Sequence, residues 1–203
     1  MFDVLLEPTT LIKSFGYAGL FFTVFAESGL LFGFFLPGDS LMFTAGFLAS
    51  QGYLHIGVLI PLLFIAAFVG DSTGYYIGKK AGPKVFSKEK SILFNPQNVE
   101  KTRAFFERYG NKTIFLARFI PVVRSFAPVM AGVGEMKYSQ FVTYNLLGAL
   151  AWAVGITLLG YIFGHTVPNA DRYVLPVIGL IIFISFLPPA WHFYKERKQG
   201  SPT

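Results

Sequence analysis

Long apolar stretches dominate this chain, and the polar positions that interrupt them are few. Apolar segments run over about 14–27, 28–50, 56–78, 113–134, 139–163 and 173–194. A helix needs about 20 apolar residues to cross a bilayer. The first two segments merge with no polar loop between them, whereas the others stand apart. The fourth contains Arg118, Pro121, Arg124 and Pro128, which suits a broken helix lining a cavity better than a rod facing lipid. The second carries Pro37, Gly38 and Asp39. Both therefore predict re-entrant hairpins, which enter and leave on one side.

Composition excludes a water-soluble alternative. Of 203 residues, 53% are hydrophobic and only 14% charged, too few charges to clothe such a core in water. The expected fold is an all-α polytopic membrane protein, one membrane domain over 1–203. With no cysteine there are no disulfides and no thiolate metal sites. The start, MFDVLLEP, is acidic and does not read as a cleaved signal peptide.

The net charge of +6 would suit a nucleic-acid binder, but its placement does not. Nine basic residues fall between Lys79 and Lys112, and Lys195, Arg197 and Lys198 close the chain. Cations flanking apolar segments mark the cytoplasmic side; contact with anionic headgroups there is a further use. Loop and tail on one side require an even number of crossings between them, yet three apolar segments intervene. The segment that does not cross is 113–134. About four transmembrane helices and two hairpins result, with both termini cytoplasmic.

A shift of 86 residues superposes Ala45-Gly46 on Ala131-Gly132, Gly74-Tyr75 on Gly160-Tyr161, and Gly78 on Gly164. Repeat one spans about 28–78 and repeat two about 113–164, inverted in topology as in many secondary transporters. The linker 79–112 holds NPQNVEKTRAFFERYG, with Asn95 as N-cap, Pro96 at the first helical position and Gly110 as stop. It predicts a cytoplasmic amphipathic helix. The segment 173–194 predicts the final transmembrane helix.

The candidate chemistry lies in the acids and arginines. No lysine or arginine occurs from Ser14 to Gly78, yet Glu27, Asp39 and Asp71 are there. Pseudo-symmetry brings Asp39 and Arg124 towards each other near the midplane. Arg118 and Arg124 either neutralise Glu27 and Asp39 or line a cavity for an anion, where the arginine fork suits a phosphate. Glu27 and Asp39 are candidates for proton coupling or gating. Asp71 and Asn145 are secondary candidates, with structural roles as the simpler account; Trp152 is expected to pack. His55, His165 and His192 sit near span boundaries without the pairing that phosphatase chemistry needs, so an enzyme is not expected, nor a metal or other cofactor.

Together these pieces resemble the DedA family of bacterial inner-membrane proteins, which shares its domain with the VTT or SNARE-associated Golgi group. The matching stretches are FAESGL at 25–30, FLPGDS at 35–40, GDSTGYYIG at 70–78, RFIPVVR at 118–124, and FVTYNLLG at 141–148 followed by Trp152. The resemblance covers about 15–165 and implies a lipid-translocating protein of the cytoplasmic membrane. It implies undecaprenyl phosphate or a related phospholipid as substrate, protons as coupling ion, and essential roles for Glu27, Asp39, Arg118 and Arg124. The alternatives are a proton- or ion-coupled transporter of small ions and an uncoupled scramblase. Which lipid moves, and whether the protein forms a homo-oligomer, are left open.

Overall fold

The computed structural model describes residues 8–30, 36–85, 108–110, 112–169, 173 and 176. Among these residues the regular structure is entirely helical. Helix α1 is Pro8–Gly29, α2 Gly38–Ser50, α3 Ile56–Val85, α4 Lys112–Ala117, α5 Pro121–Val133 and α6 Tyr138–Ala149. A π-helical turn, Leu150–Val154, leads without a break into α7, Gly155–Thr166. Prolines punctuate the chain: Pro37 directly precedes α2, and Pro121 opens α5, where its missing N–H is not needed. Gly52 (φ +80°) and Gly110 (φ +72°) turn the chain after α2 and before α4 in a conformation that favours glycine.

Among the described residues two helices are long and apolar enough to cross a membrane: Ile56–Lys80, of 25 residues, and the rod Tyr138–Thr166, of 29. By contrast, α2 and α5 have 13 residues each, a rise of about 20 Å against a hydrocarbon core of about 30 Å. Their contacts show where they begin and end. Helix α1 runs beside α3 in the same direction, with Tyr17 Oη accepting from the His55 N–H at 2.8 Å. Its last residue, Gly29, meets Gly70 so closely that a Cβ would lie 2.7 Å from the Gly70 carbonyl oxygen. Gly70 is halfway along α3, so α1 stops halfway. Helix α2 then returns towards the His55 end, where Gln51 Nε2 donates to the Gly164 carbonyl at 3.4 Å. Helices α4 and α5 mirror this from the Lys79 end: Ile114 shares a core with Met136, just beyond α5, and the Tyr75 hydroxyl donates to the Met136 carbonyl.

The expected division into a span at 14–27 and a hairpin at 28–50 is corrected by this arrangement. One helix runs from Pro8 to Gly29, because no proline follows Pro8 until Pro37. Helix α1 is itself the arm that leads to the break. The final span apart from Tyr173 and Pro176, the amphipathic helix apart from Arg108, Tyr109 and Gly110, and the basic tail lie outside the described residues.

Two glycine crossings lock the halves together. Between α2 and α7, a Cβ on Gly46 would overlap the Thr157 carbonyl oxygen, and one on Gly160 that of Phe43. Between α3 and α5, a Cβ on Gly132 would overlap the Tyr75 carbonyl oxygen, and one on Gly78 that of Val129. In both crossings each glycine faces the carbonyl three residues before its partner glycine. The same contact thus recurs in the two halves, with the short helix of each packed on the long helix of the other. The 86-residue shift holds for Gly46 and Gly132, but Gly78 corresponds to Gly160 rather than Gly164, one helical turn away.

Polarity is inverted relative to a soluble protein. Val58, Ile65 and Val69 on α3 and Leu146, Leu159 and Ile162 on the rod are exposed, while Glu27, Asp71, Arg118, Arg124 and Asn145 are buried. Two apolar clusters flank these buried charges. One gathers Val24, Met42, Leu59, Leu63 and Trp152 towards the His55 end. The other gathers Tyr75, Ile114, Ala131 and Phe141 towards the Lys79 end.

The crossings generate a prediction. Gly46→Ala and Gly132→Ala each force a methyl group into a backbone carbonyl and should cost about 1–3 kcal/mol, read as lower melting temperatures in detergent. Gly19→Ala and Gly155→Ala, whose sites have nothing within 4 Å of a Cβ, should leave melting unchanged.

Candidate functional site

The charged layer forms where the broken ends of the short helices converge. Glu27 lies in the last turn of α1 and Asp39 in the first turn of α2. Gly38 lies so close to Glu27 that a Cβ there would overlap its carboxylate; the Pro37-Gly38 break thus bends the chain and leaves room for an acid. Arg118 immediately follows α4, and Arg124 is in the first turn of α5. Pro128 has no N–H to give the carbonyl of Arg124, which weakens the helix ladder beside the site. Asp71 and Ser72 come from the middle of α3, Asn145 from α6, and Trp152 from the π-helical turn.

Arg124 clamps two acids. Its Nη1 lies 2.7 Å from Asp39 Oδ1, and its Nη2 pairs with Glu27 Oε1. Trp152 Nε1 donates to the same Asp39 oxygen at 2.8 Å, and Ser125 Oγ donates to the Glu27 carbonyl at 3.2 Å. Arg118 forms a second centre, pairing with Asp71 and donating to Asn145 Oδ1 at 2.9 Å. Asn145 Nδ2 donates in turn to the Phe68 carbonyl at 3.2 Å. The Trp152 ring joins the centres, with the Arg124 guanidinium carbon 4.5 Å and that of Arg118 5.5 Å from its centroid, within cation–π range.

Water barely reaches these groups: Glu27 is 0%, Arg118 4%, Asp71 6% and Arg124 8% exposed. Asp39 is the most open, its side chain 16% exposed. Glu27 Oε2, Arg118 Nη1 and Arg124 Nε are buried without a hydrogen-bond partner among the described residues. Three carboxylates face two guanidiniums, so the fully ionised layer carries one surplus negative charge. Among the described residues no three His, Cys, Asp or Glu side chains gather as a metal cage.

Of the residues singled out in the sequence, Glu27, Asp39 and Arg124 meet directly. Arg118 does not join the two hairpin acids; it pairs with Asp71 and Asn145, which moves both secondary candidates into the charged layer. Trp152, expected only to pack, bonds Asp39 and lies beneath both arginines. A lone tryptophan in an apolar run carries no sequence signal of such a contact, although π-helical turns often mark functional sites.

This architecture, with apolar faces outside and ion pairs inside, defines a membrane protein of the VTT-domain class: the family profile described as the VTT domain matches residues 36–162. The chain is 46% identical over 187 residues to Protein DedA of Escherichia coli K12, covering 91% of this chain and 85% of that protein. It is 45% identical to the uncharacterized membrane protein Rv0364 of Mycobacterium tuberculosis, covering 90% and 82%. To the inner membrane protein YghB of Escherichia coli K12 it is 32% identical, covering 90% and 82%. No solved structure matches it. The chain belongs to the DedA family.

Removing one member of a buried ion pair strands its partner at a cost of about 3–5 kcal/mol. Arg118→Gln or Asp71→Asn alone should therefore lower the melting temperature in detergent sharply. The double variant should recover part of the loss, and a double-mutant cycle measures how much.

Proposed function

We propose that this protein carries the phosphate headgroup of an anionic lipid, undecaprenyl phosphate or a related phospholipid, across the bacterial cytoplasmic membrane. The observation behind this reading is the buried layer of acids and arginines where four broken helix ends converge inside an apolar exterior. In the proposed topology α3 and the rod Tyr138–Thr166 cross the membrane, and the short helices are re-entrant arms opening to opposite faces. With the span expected at 173–194 the crossings number three, one fewer than the four expected from the apolar segments. The Lys79 end faces the cytoplasm by its flanking cations, as does the basic C-terminal tail.

Protons enter through charge balance. Both arginines are occupied by carboxylates, and the layer is already negative by one charge, so an anionic phosphate would be repelled as it stands. Protonation of both Glu27 and Asp39 frees the two Nη groups of Arg124 and turns the net charge of the layer from −1 to +1. A phosphate then takes the place of the carboxylates, with two parallel hydrogen bonds to a guanidinium. Binding the lipid thus requires proton uptake, the basis of coupling to the proton gradient. A transporter rather than an enzyme is favoured because His55 and His165 are exposed near helix ends, away from the charged layer. The surplus carboxylate favours one second reading, a proton- or ion-coupled transporter of a small cation.

Reconstitution in liposomes with labelled undecaprenyl phosphate and an imposed pH gradient tests the proposal. Arg124→Ala should slow lipid movement at least tenfold, a loss of about 1.4 kcal/mol or more of differential binding. Glu27→Gln should leave movement that no longer follows the gradient. Unimpaired movement by folded Arg124→Ala would remove the headgroup role. Movement of many lipids irrespective of the gradient would mean scrambling, and ion flux without lipid movement would establish the second reading.

A further inference from the structure

A cavity of about 410 Å³ lies apart from the charged layer, at the Lys79 end of the molecule. Tyr75, Lys79, Gly132, Glu135, Lys137 and Tyr138 bound it. The turn between α5 and α6 forms one wall, with Glu135 in the left-handed conformation at φ +57°. Lys79 and Lys137 are exposed, while Tyr75 is buried, its hydroxyl committed to the Met136 carbonyl. The cavity therefore combines an aromatic wall with two lysines against one carboxylate.

A run of hydrogen bonds connects this cavity to the charged layer. The Tyr138 hydroxyl donates to Ser72 Oγ at 3.4 Å, and Asn145 Nδ2 reaches the same oxygen at 3.5 Å. Asn145 Oδ1 in turn accepts from Arg118 at 2.9 Å. The polar side chains of α3 and α6 thus lead from Tyr138 to Arg118, whose Nη1 is buried and unpartnered among the described residues. At the opposite end the turn between α2 and α3 offers no counterpart, because no lysine or arginine occurs from Ser14 to Gly78.

We propose that this cavity captures the phosphate headgroup of an anionic lipid from the leaflet on the Lys79 side, before the headgroup passes to Arg118. The inference rests on the lipid-transport reading and adds a site and a side to it. Lys79 and Lys137 hold the phosphate at the interface, where a flexible ammonium can follow a headgroup while its stem stays in apolar surroundings. Tyr138 and Ser72 offer hydroxyls along the way inwards. The sidedness follows from the two turns: Lys137 in the α5–α6 turn lies beside Lys79, whereas the α2–α3 turn carries neither lysine nor arginine.

The test is titration of the purified full-length protein with dihexanoyl phosphatidic acid, kept below its micelle concentration, and separately with inorganic phosphate. The double variant K79Q/K137Q should bind the phosphatidate about tenfold or more weakly, given the contribution of each interfacial lysine to anionic-lipid binding. The control K80Q/K112Q, which removes two exposed lysines outside the cavity, should bind as the native protein does. Circular dichroism checks that both variants fold. Equal weakening by the control, or no binding by the native protein, would overturn the proposal. Inorganic phosphate binding as tightly as phosphatidate would overturn the lipid as source. Lysine-dependent binding without lipid movement in liposomes would sustain the cavity and sink transport; lipid movement without such binding would do the reverse.

Discussion

The bond on which the rest of this structure depends is the clamp of Arg124 on Glu27 and Asp39. A charge in the middle of a bilayer costs about 3 kcal/mol or more, and this protein gathers five charged side chains in one layer, four of them buried. They are tolerable only because each finds an opposite charge across a helix boundary. Glu27 and Asp39 arrive from one end of the molecule and Arg124 from the other, so the clamp ties together two halves that otherwise meet through glycine crossings. Arg118 with Asp71 repeats the arrangement one step along, and Trp152 lies against both guanidiniums. Among the described residues the layer is also incompletely paired, with Glu27 Oε2, Arg124 Nε and Arg118 Nη1 lacking hydrogen-bond partners. A purely structural ion-pair network would gain by satisfying them; in the proposed function they are open to a headgroup.

The glycine crossings explain how such a layer comes to be held beside the middle of α3. Between helices in lipid the hydrophobic effect supplies little, so close backbone approach and packing do the work. Gly46 with Gly160, and Gly78 with Gly132, bring each short helix against the long helix of the other half. This exchange places the starts of α2 and α5, and with them Asp39 and Arg124, against one another. A short helix packed on its own half would leave its charged end facing lipid. The geometry of the crossings and the position of the charges are thus one constraint.

Much of this was legible in the chain. The length of the apolar runs and the basic loop define a membrane protein, because an apolar stretch of that length has no soluble use. Pro37-Gly38 and the proline–arginine alternation of 118–128 mark the breaks, since proline removes helix bonds that only protein or water can replace. Alignment of Gly46 with Gly132 survives into three dimensions. The boundary between α1 and the first break was misjudged because apolar periodicity says nothing about where a merged run divides. The register of Gly78 slipped by a turn because both Gly160 and Gly164 present a glycine at helical spacing.

What the sequence by itself determined is the helical membrane class, the breaks and the identity of the buried acids and arginines, all of which follow from local chemistry and solvent. Which acid meets which arginine, the recruitment of Asp71, Asn145 and Trp152, and the exchange of short helices between halves were decided only by tertiary structure. Those outcomes depend on contacts between residues some 30 to 110 positions apart. At such separations pairing is set by how helices cross, and a pattern of polarity along one strand of chain carries no record of it.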